Sequence, residues 1–232
     1  MKHSQSGSVL IYILIAVVLF AALSFAMSQM MRSGSTLTGS EARSASATSV
    51  LQYADAVQNA VHDMQINGIS DTSICFDAPG WGNNSYVDGA CANTAAKVFD
   101  PAGGAVVWEA PAPGVNDTSP WLFTGVNGIA GIGTVCAQPS CADLKMMLPN
   151  VAKSVCIAID QQLGLISGSA APPVDTGYDA VPFTGAYTVS ATADIGDEPG
   201  SAALSGQPEG CFQSSASPTA GTYHFYRVLI SR

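Results

Sequence analysis

Residues 9–27 read VLIYILIAVVLFAALSFAM, and no Asp, Glu, Lys or Arg stands between Lys2 and Arg32. A helix over this run, at ~1.5 Å per residue, is about 28 Å long, close to the ~30 Å hydrocarbon core of a bilayer. The β-branched Ile11, Ile13, Ile15, Val17 and Val18 do not argue against helix in lipid, where each backbone group must be satisfied within the segment. The stretch therefore predicts a membrane-inserted helix. Its flanking cations, Lys2 before and Arg32 and Arg43 after, show no positive-inside bias.

Three kinds of membrane segment compete. A cleaved secretory signal would use Lys2 as its basic region and Ser24-Phe25-Ala26 as a small-residue cleavage site. An uncleaved anchor would keep the whole run. A third type has a short polar leader, here ending at Gly7, cut from an apolar helix that stays in the mature protein.

The third fits a resemblance. Gln5-Ser6-Gly7-Ser8-Val9-Leu10-Ile11-Tyr12, followed by Ile13-Leu14-Ile15-Ala16-Val17-Val18-Leu19, resembles the N-terminus of bacterial type IV pilins and type II secretion pseudopilins. The resemblance implies cleavage after Gly7 by a prepilin peptidase, methylation of Ser8 as the new N-terminus, and a helix that packs in a filament core. Tyr12 stands where the family usually carries glutamate. That carboxylate pairs with a neighbour's amino group, so its replacement implies a rare or terminal subunit beside partners that retain it.

Residues 28–49 are small and polar, and Gly34 and Gly39 each lower helix propensity by ~1 kcal/mol relative to alanine. From Val50 the period is helical: Leu51, Ala54, Val57, Val61 and Met64 recur at steps of three and four, and Gly68 is a candidate C-terminal stop. This predicts a helix over 47–67 with one apolar stripe. The implied organisation is a leader over 1–7, a transmembrane or filament-core helix over 8–31, a helical stem over 32–67 and an extracytoplasmic domain over 68–232.

The chain has 232 residues and a net charge of −9, with only eight Lys plus Arg. It lacks a basic patch to neutralise phosphates, which argues against nucleic acid as a partner. Cys75, Cys91, Cys136, Cys141, Cys156 and Cys211 all follow the apolar run. An even number in an exported chain suggests disulfides, and the loop composition of 69–94 suggests a Cys75–Cys91 staple. Zinc is not indicated, because Cys136-x4-Cys141 lacks a second pair and His62 and His224 are remote.

Other clusters read as structural. Asp71, Asp77 and Asp88 do not follow the calcium-loop spacing. Trp81, Trp108 and Trp121 could line a sugar-binding surface, with core duty the commoner use. Gly128-x-x-Gly131-x-Gly133 is neither a dinucleotide fingerprint nor a phosphate loop, and reads as turns. His62 is expected to face solvent. Asp160, with Lys153 two turns before it, is expected to make a structural ion pair or meet solvent. Asp194, Asp197 and Glu198 read as a solvated loop. A hairpin is expected around Asp100–Gly104, and a helix over 142–163 interrupted near Pro149 and capped by Asn150. A strand is expected over 222–230, with His224 held by a local partner.

The expected fold class is α+β: a long N-terminal helix, membrane-inserted in its first half, with a small antiparallel sheet packed on its distal half and disulfide-tied loops. G-x-S-x-G, H-E-x-x-H and C-x-x-C do not occur, so neither catalytic residues, nor a metal site, nor a cofactor is expected. By the resemblance the chain is a non-enzymatic minor pilin- or pseudopilin-like subunit. Its implied partners are a prepilin peptidase, sibling subunits and the inner membrane before assembly into a periplasmic or surface filament. The alternative is an exported or anchored binding module for a carbohydrate or surface ligand, released after Ala26.

Overall fold

The computed structural model describes residues 18, 39–78, 86, 89–134 and 141–232. The chain divides into two compact units, 1–43 and 44–232. In the first, the described residues are Val18 and 39–43, all helical. Gly7, Ser8, Tyr12, Trp81, Asp88 and Cys136 lie outside the described residues, as does the expected 8–31 helix apart from Val18.

In the second unit, residues 44–66 form helix α1. Ala47, Val50, Ala54, Val57, Val61 and Met64 are buried along one stripe. The helix ends because Gly68 adopts φ +89°. Its N–H bonds the Gln65 carbonyl at 2.9 Å and the Ile69 N–H reaches back to Met64 at 3.0 Å, a Schellman closure. Gly68 is open on its Cβ side, so glycine is required there for conformation and not for space.

Five strands form one sheet in the order β1-β2-β5-β4-β3: β1 Leu122–Thr124, β2 Leu144–Leu148, β3 Val174–Gly177, β4 Glu209–Ser217 and β5 Tyr223–Ile230. Helix α2, Lys153–Gln162, follows β2. The β1–β2, β2–β5 and β5–β4 pairs are antiparallel, and β3 joins β4 in parallel. One face packs on the helices: Leu144, Met146, Leu148, Cys211, Phe225 and Leu229 share a core with the α1 stripe and with Val155 and Ile159 of α2. The other face is roofed by loops, with Met147, Phe212, Tyr226 and Val228 meeting Ile129, Tyr178, Ile195 and Leu204. Both sheet edges are covered. The Phe183 N–H bonds the Phe123 carbonyl of β1 at 2.8 Å, and the Val174 N–H of β3 bonds Gly200 at 3.0 Å. Unpaired edge strands, which invite intermolecular pairing, are thus avoided.

The polar side of α1 grips β5. Gln58 Nε2 donates to the Val228 carbonyl at 2.7 Å, and His62 Nε2 to Leu229 at 3.0 Å. Arg227 pairs with Asp55 at 2.6 Å and with Glu209.

Several expectations are corrected. Among the described residues no helix is long and apolar enough to cross a membrane. α1 is amphipathic, and its single apolar stripe is spent on the sheet. The fold class built on a membrane-inserted helix, and the inner-membrane and filament location drawn from it, are therefore replaced by an open, mixed five-stranded sheet with helices on one face. Residues 144–148, expected as helix, form β2, buried at every position. A short apolar run buried on both faces cannot be told from a helix by period. Asn150 does not cap α2; the preceding residue is Ala152, without a side-chain cap bond. Residues 100–104 turn without flanking strands, their conformation set by Asp100 accepting from Ala102 at 2.9 Å.

Candidate functional site

Several acid–base groups are buried inside the fold: Asp143, Lys145, Asp160, Asp175 and His224. Lys145 projects from β2 to the loop-covered face and is 1% exposed. Its ammonium donates to the carbonyls of Val126 and Asn127, both at 2.6 Å. Those carbonyls belong to the glycine-rich segment 125–133, which wraps over the sheet through bridges from Val126 to Thr188 and from Ile129 to Ile195. Asp143 Oδ2 accepts the Ile129 N–H at 2.9 Å and its Oδ1 the Arg232 N–H at 3.0 Å. Asp194 Oδ1 accepts from Gly128 at 2.6 Å. Gly133 passes so close to Arg232 that a Cβ would lie 2.2 Å from its carbonyl oxygen. The segment read as plain turns is thus a cradle around a buried cation.

Burial pulls the Lys145 ammonium down to about 8, against the opposing carboxylates of Asp143 and Asp194. Burial raises Asp143, while the two N–H donors and Lys145 pull it back. Perturbed groups in a cleft mark functional sites, but Asp143 and Lys145 are sealed from solvent. Their role is to hold the 125–133 segment and Arg232 on the sheet.

Asp160, expected in a structural ion pair or solvent contact, is instead fully buried on α2 and held by a backbone N–H. Its Oδ1 accepts the Cys211 N–H at 2.8 Å, and its Oδ2 has no partner. Burial pushes this carboxyl up to about 7, with the Cys211 N–H opposing. Between about 4 and 7 the folded chain holds this proton while the unfolded chain has released it, so stability falls as pH rises through that window. The linkage amounts to ~4 kcal/mol at most, and an asparagine amide left without an acceptor offsets ~1–2 kcal/mol of it. Asp160→Asn is therefore expected to be about 2 kcal/mol more stable than the parent at pH 8 and no more stable at pH 4. Urea titrations at both pH values check this; parallel pH profiles for the two proteins would refute it.

The other sequence candidates are accounted for individually. Cys75 is bonded to Cys91 and Cys156 to Cys211, and Cys141 is disulfide-bonded. Asp71 pairs with Arg232 at 3.2 Å and Asp77 with Lys97 at 2.8 Å. Among the described residues no cluster of His, Cys, Asp and Glu could hold a metal ion. Trp121 is buried, its indole N–H donating to the Glu109 carbonyl at 3.2 Å, and Trp108 packs edge-on to Phe99 at 5.1 Å. These two tryptophans serve the core and do not form a shared sugar platform.

One recess does open to solvent with polar groups around it. It is open and shallow, with a volume of about 470 Å³, and is lined by Asp117, Asn150, Val151, Thr219, Thr222 and Tyr223. The turn at 116–119 is tied to the end of β2 by the Asn116 amide, which donates to the Ser119 and Pro149 carbonyls at 2.7 and 3.0 Å. The Asn150 amide donates to Asp117 Oδ2 at 2.9 Å and Ser119 Oγ at 3.2 Å. Thr118 and Asn150 both have left-handed backbones, φ +78° and +54°, a conformation strained for side-chain-bearing residues. Hydrogen bonds from Ser119 and Asn150 keep the Asp117 carboxyl below the usual range.

Beneath the recess lies His224, fully buried. The Thr222 hydroxyl donates to the Thr219 carbonyl at 2.6 Å and stands 2.6 Å from His224 Nε2. That hydroxyl is therefore the acceptor for an Nε2–H, leaving Nδ1 to accept from the Asn150 N–H at 3.5 Å. Burial pulls the imidazole down to about 4, with Asp117 opposing, so the neutral ring locks two lining residues in place. The sequence marked His224 as a strand histidine with a local partner, but it held no signal for the recess, whose walls come from three separated segments.

The comparisons with known proteins give the pilin resemblance no support, and with the absence of a membrane-length helix among the described residues the reading as a prepilin-type, type IV pilus protein is withdrawn. No family model matches the chain, and neither a curated protein nor a solved structure matches it.

Proposed function

We propose that this chain is an exported, disulfide-stapled binding module without catalytic activity, released after Ala26. The observation that carries the reading is cysteine bonding: Cys75, Cys91, Cys141, Cys156 and Cys211 are all in disulfides, the pattern of a chain folded in an oxidising compartment. The acidic balance of −9 supports work away from nucleic acid. Sealing of Lys145, Asp143, Asp160 and His224 inside the fold supports a non-catalytic role, because a general acid or base must reach its substrate.

The test is to sequence the mature N-terminus and to count thiols on the unfolded, unreduced protein. Met27 as first residue and no free thiol are expected. An intact Met1 together with six free thiols would overturn the reading.

A further inference from the structure

We propose that the recess between the 116–119 turn, Asn150 and the β4–β5 hairpin tip binds a neutral saccharide. The proposal deepens the reading of the chain as a binding module and rests on it. The volume, about 470 Å³, falls in the ~300–1,000 Å³ range of ligand pockets. It is open and shallow in character, with both polar and apolar surface, unlike an apolar drug-type cavity.

The chemistry of the walls selects the ligand. Asp117 presents an ionised carboxylate, which can only accept hydrogen bonds. The Asn150 amide N–H groups are held by Asp117 and Ser119, so Asn150 offers its amide oxygen as an acceptor, and Thr219 adds a hydroxyl at the exposed tip. Sugar hydroxyls can donate to these acceptors and accept in turn from Thr219, and they carry no charge. Tyr223, half-buried, lines the same recess and adds apolar surface beside these polar groups. A single carboxylate among neutral groups is too sparse a donor set for a divalent cation. Asp117 and the net charge of −9 disfavour an anionic ligand. Lys153, 5.9 Å from the Tyr223 ring centroid, is already engaged with that ring.

The recess is also held rigid before any ligand arrives. Asn116 fixes the turn, His224 fixes Thr222 and Asn150, and the Val151 N–H bonds the Tyr223 carbonyl at 2.8 Å. Support of this kind reduces the ordering cost of binding. Two non-glycine residues in left-handed conformations flank the same opening, and such strain concentrates at binding sites.

The experiment uses the purified full chain and saturation-transfer NMR with methyl α-mannoside, methyl β-glucoside, methyl β-galactoside and methyl β-N-acetylglucosaminide as probes. At least one is expected to bind with a Kd of about 1 mM or tighter, and Tyr223→Ala to weaken it about tenfold or more. Because Tyr223 also contacts the core, Asp117→Asn serves as a second variant that preserves shape, with the same direction of effect expected. Absence of transfer to all four probes would overturn the proposal, as would binding unchanged in both variants. Tighter binding of glucuronate than of methyl β-glucoside would overturn the assignment of a neutral ligand. The thiol count tests the module reading separately, so the two can fail independently.

Discussion

Lys145→Met is expected to destabilise the domain by about 3–5 kcal/mol, read as a lowered urea midpoint. Methionine has nearly the length of lysine but no donor. The carbonyls of Val126 and Asn127 each lie 2.6 Å from the ammonium; Asn127 would keep the Asp143 N–H at 3.0 Å, while Val126 would lose its donor at a cost of ~1–3 kcal/mol. Asp143 would lose the cation whose field opposes its desolvation. Partial collapse of the 125–133 segment limits the sum. Adding Asp143→Asn to Lys145→Met should recover part of the loss, since the asparagine oxygen can still accept from Ile129 or Arg232 without a charge. A loss under about 1 kcal/mol for the single variant would show that the buried cation is dispensable.

Removing the Cys156–Cys211 disulfide, as Cys156→Ala with Cys211→Ala, is expected to cost about 4 kcal/mol. The two cysteines are 55 residues apart, so the bond removes much more freedom from the unfolded chain than the Cys75–Cys91 bond, whose cysteines are 16 apart, and for which the same relation gives ~3 kcal/mol. It also sits at the α2–β4 joint, where both sulfurs are fully buried in the helix-side core and the Cys211 N–H is held by Asp160. Truncation to alanine leaves a cavity as well. Thermal denaturation with and without reductant gives a parallel measure: reduction should lower the midpoint of the parent and affect the double variant less. Equal midpoints for parent and double variant would refute a structural role for this bond.

What could be read directly from the sequence was local. The α1 stripe repeats at helical spacing and ends at a glycine with φ +89°, because a helix buries one face through contacts three and four residues apart. β5 was legible from its aromatic and β-branched density, including its coverage on both faces. His224 was legible as a residue satisfied within its neighbourhood, since Thr222 lies two positions away. β2 was not legible: Leu144–Leu148 is apolar on both faces, and only the partners on either side decide that it pairs with β1 and β5. The burial of Asp160 was not legible because helical period alone does not say how wide the buried face is; β4, arriving fifty residues later and stapled by a disulfide, covers it. Lys145 acquires its role from carbonyls at 126 and 127 and from carboxylates at 143 and 194, and the recess from turns near 117, 150 and 220. Those groups meet only once the sheet has closed, because a single side chain's chemistry is set by the non-local neighbours that desolvate it.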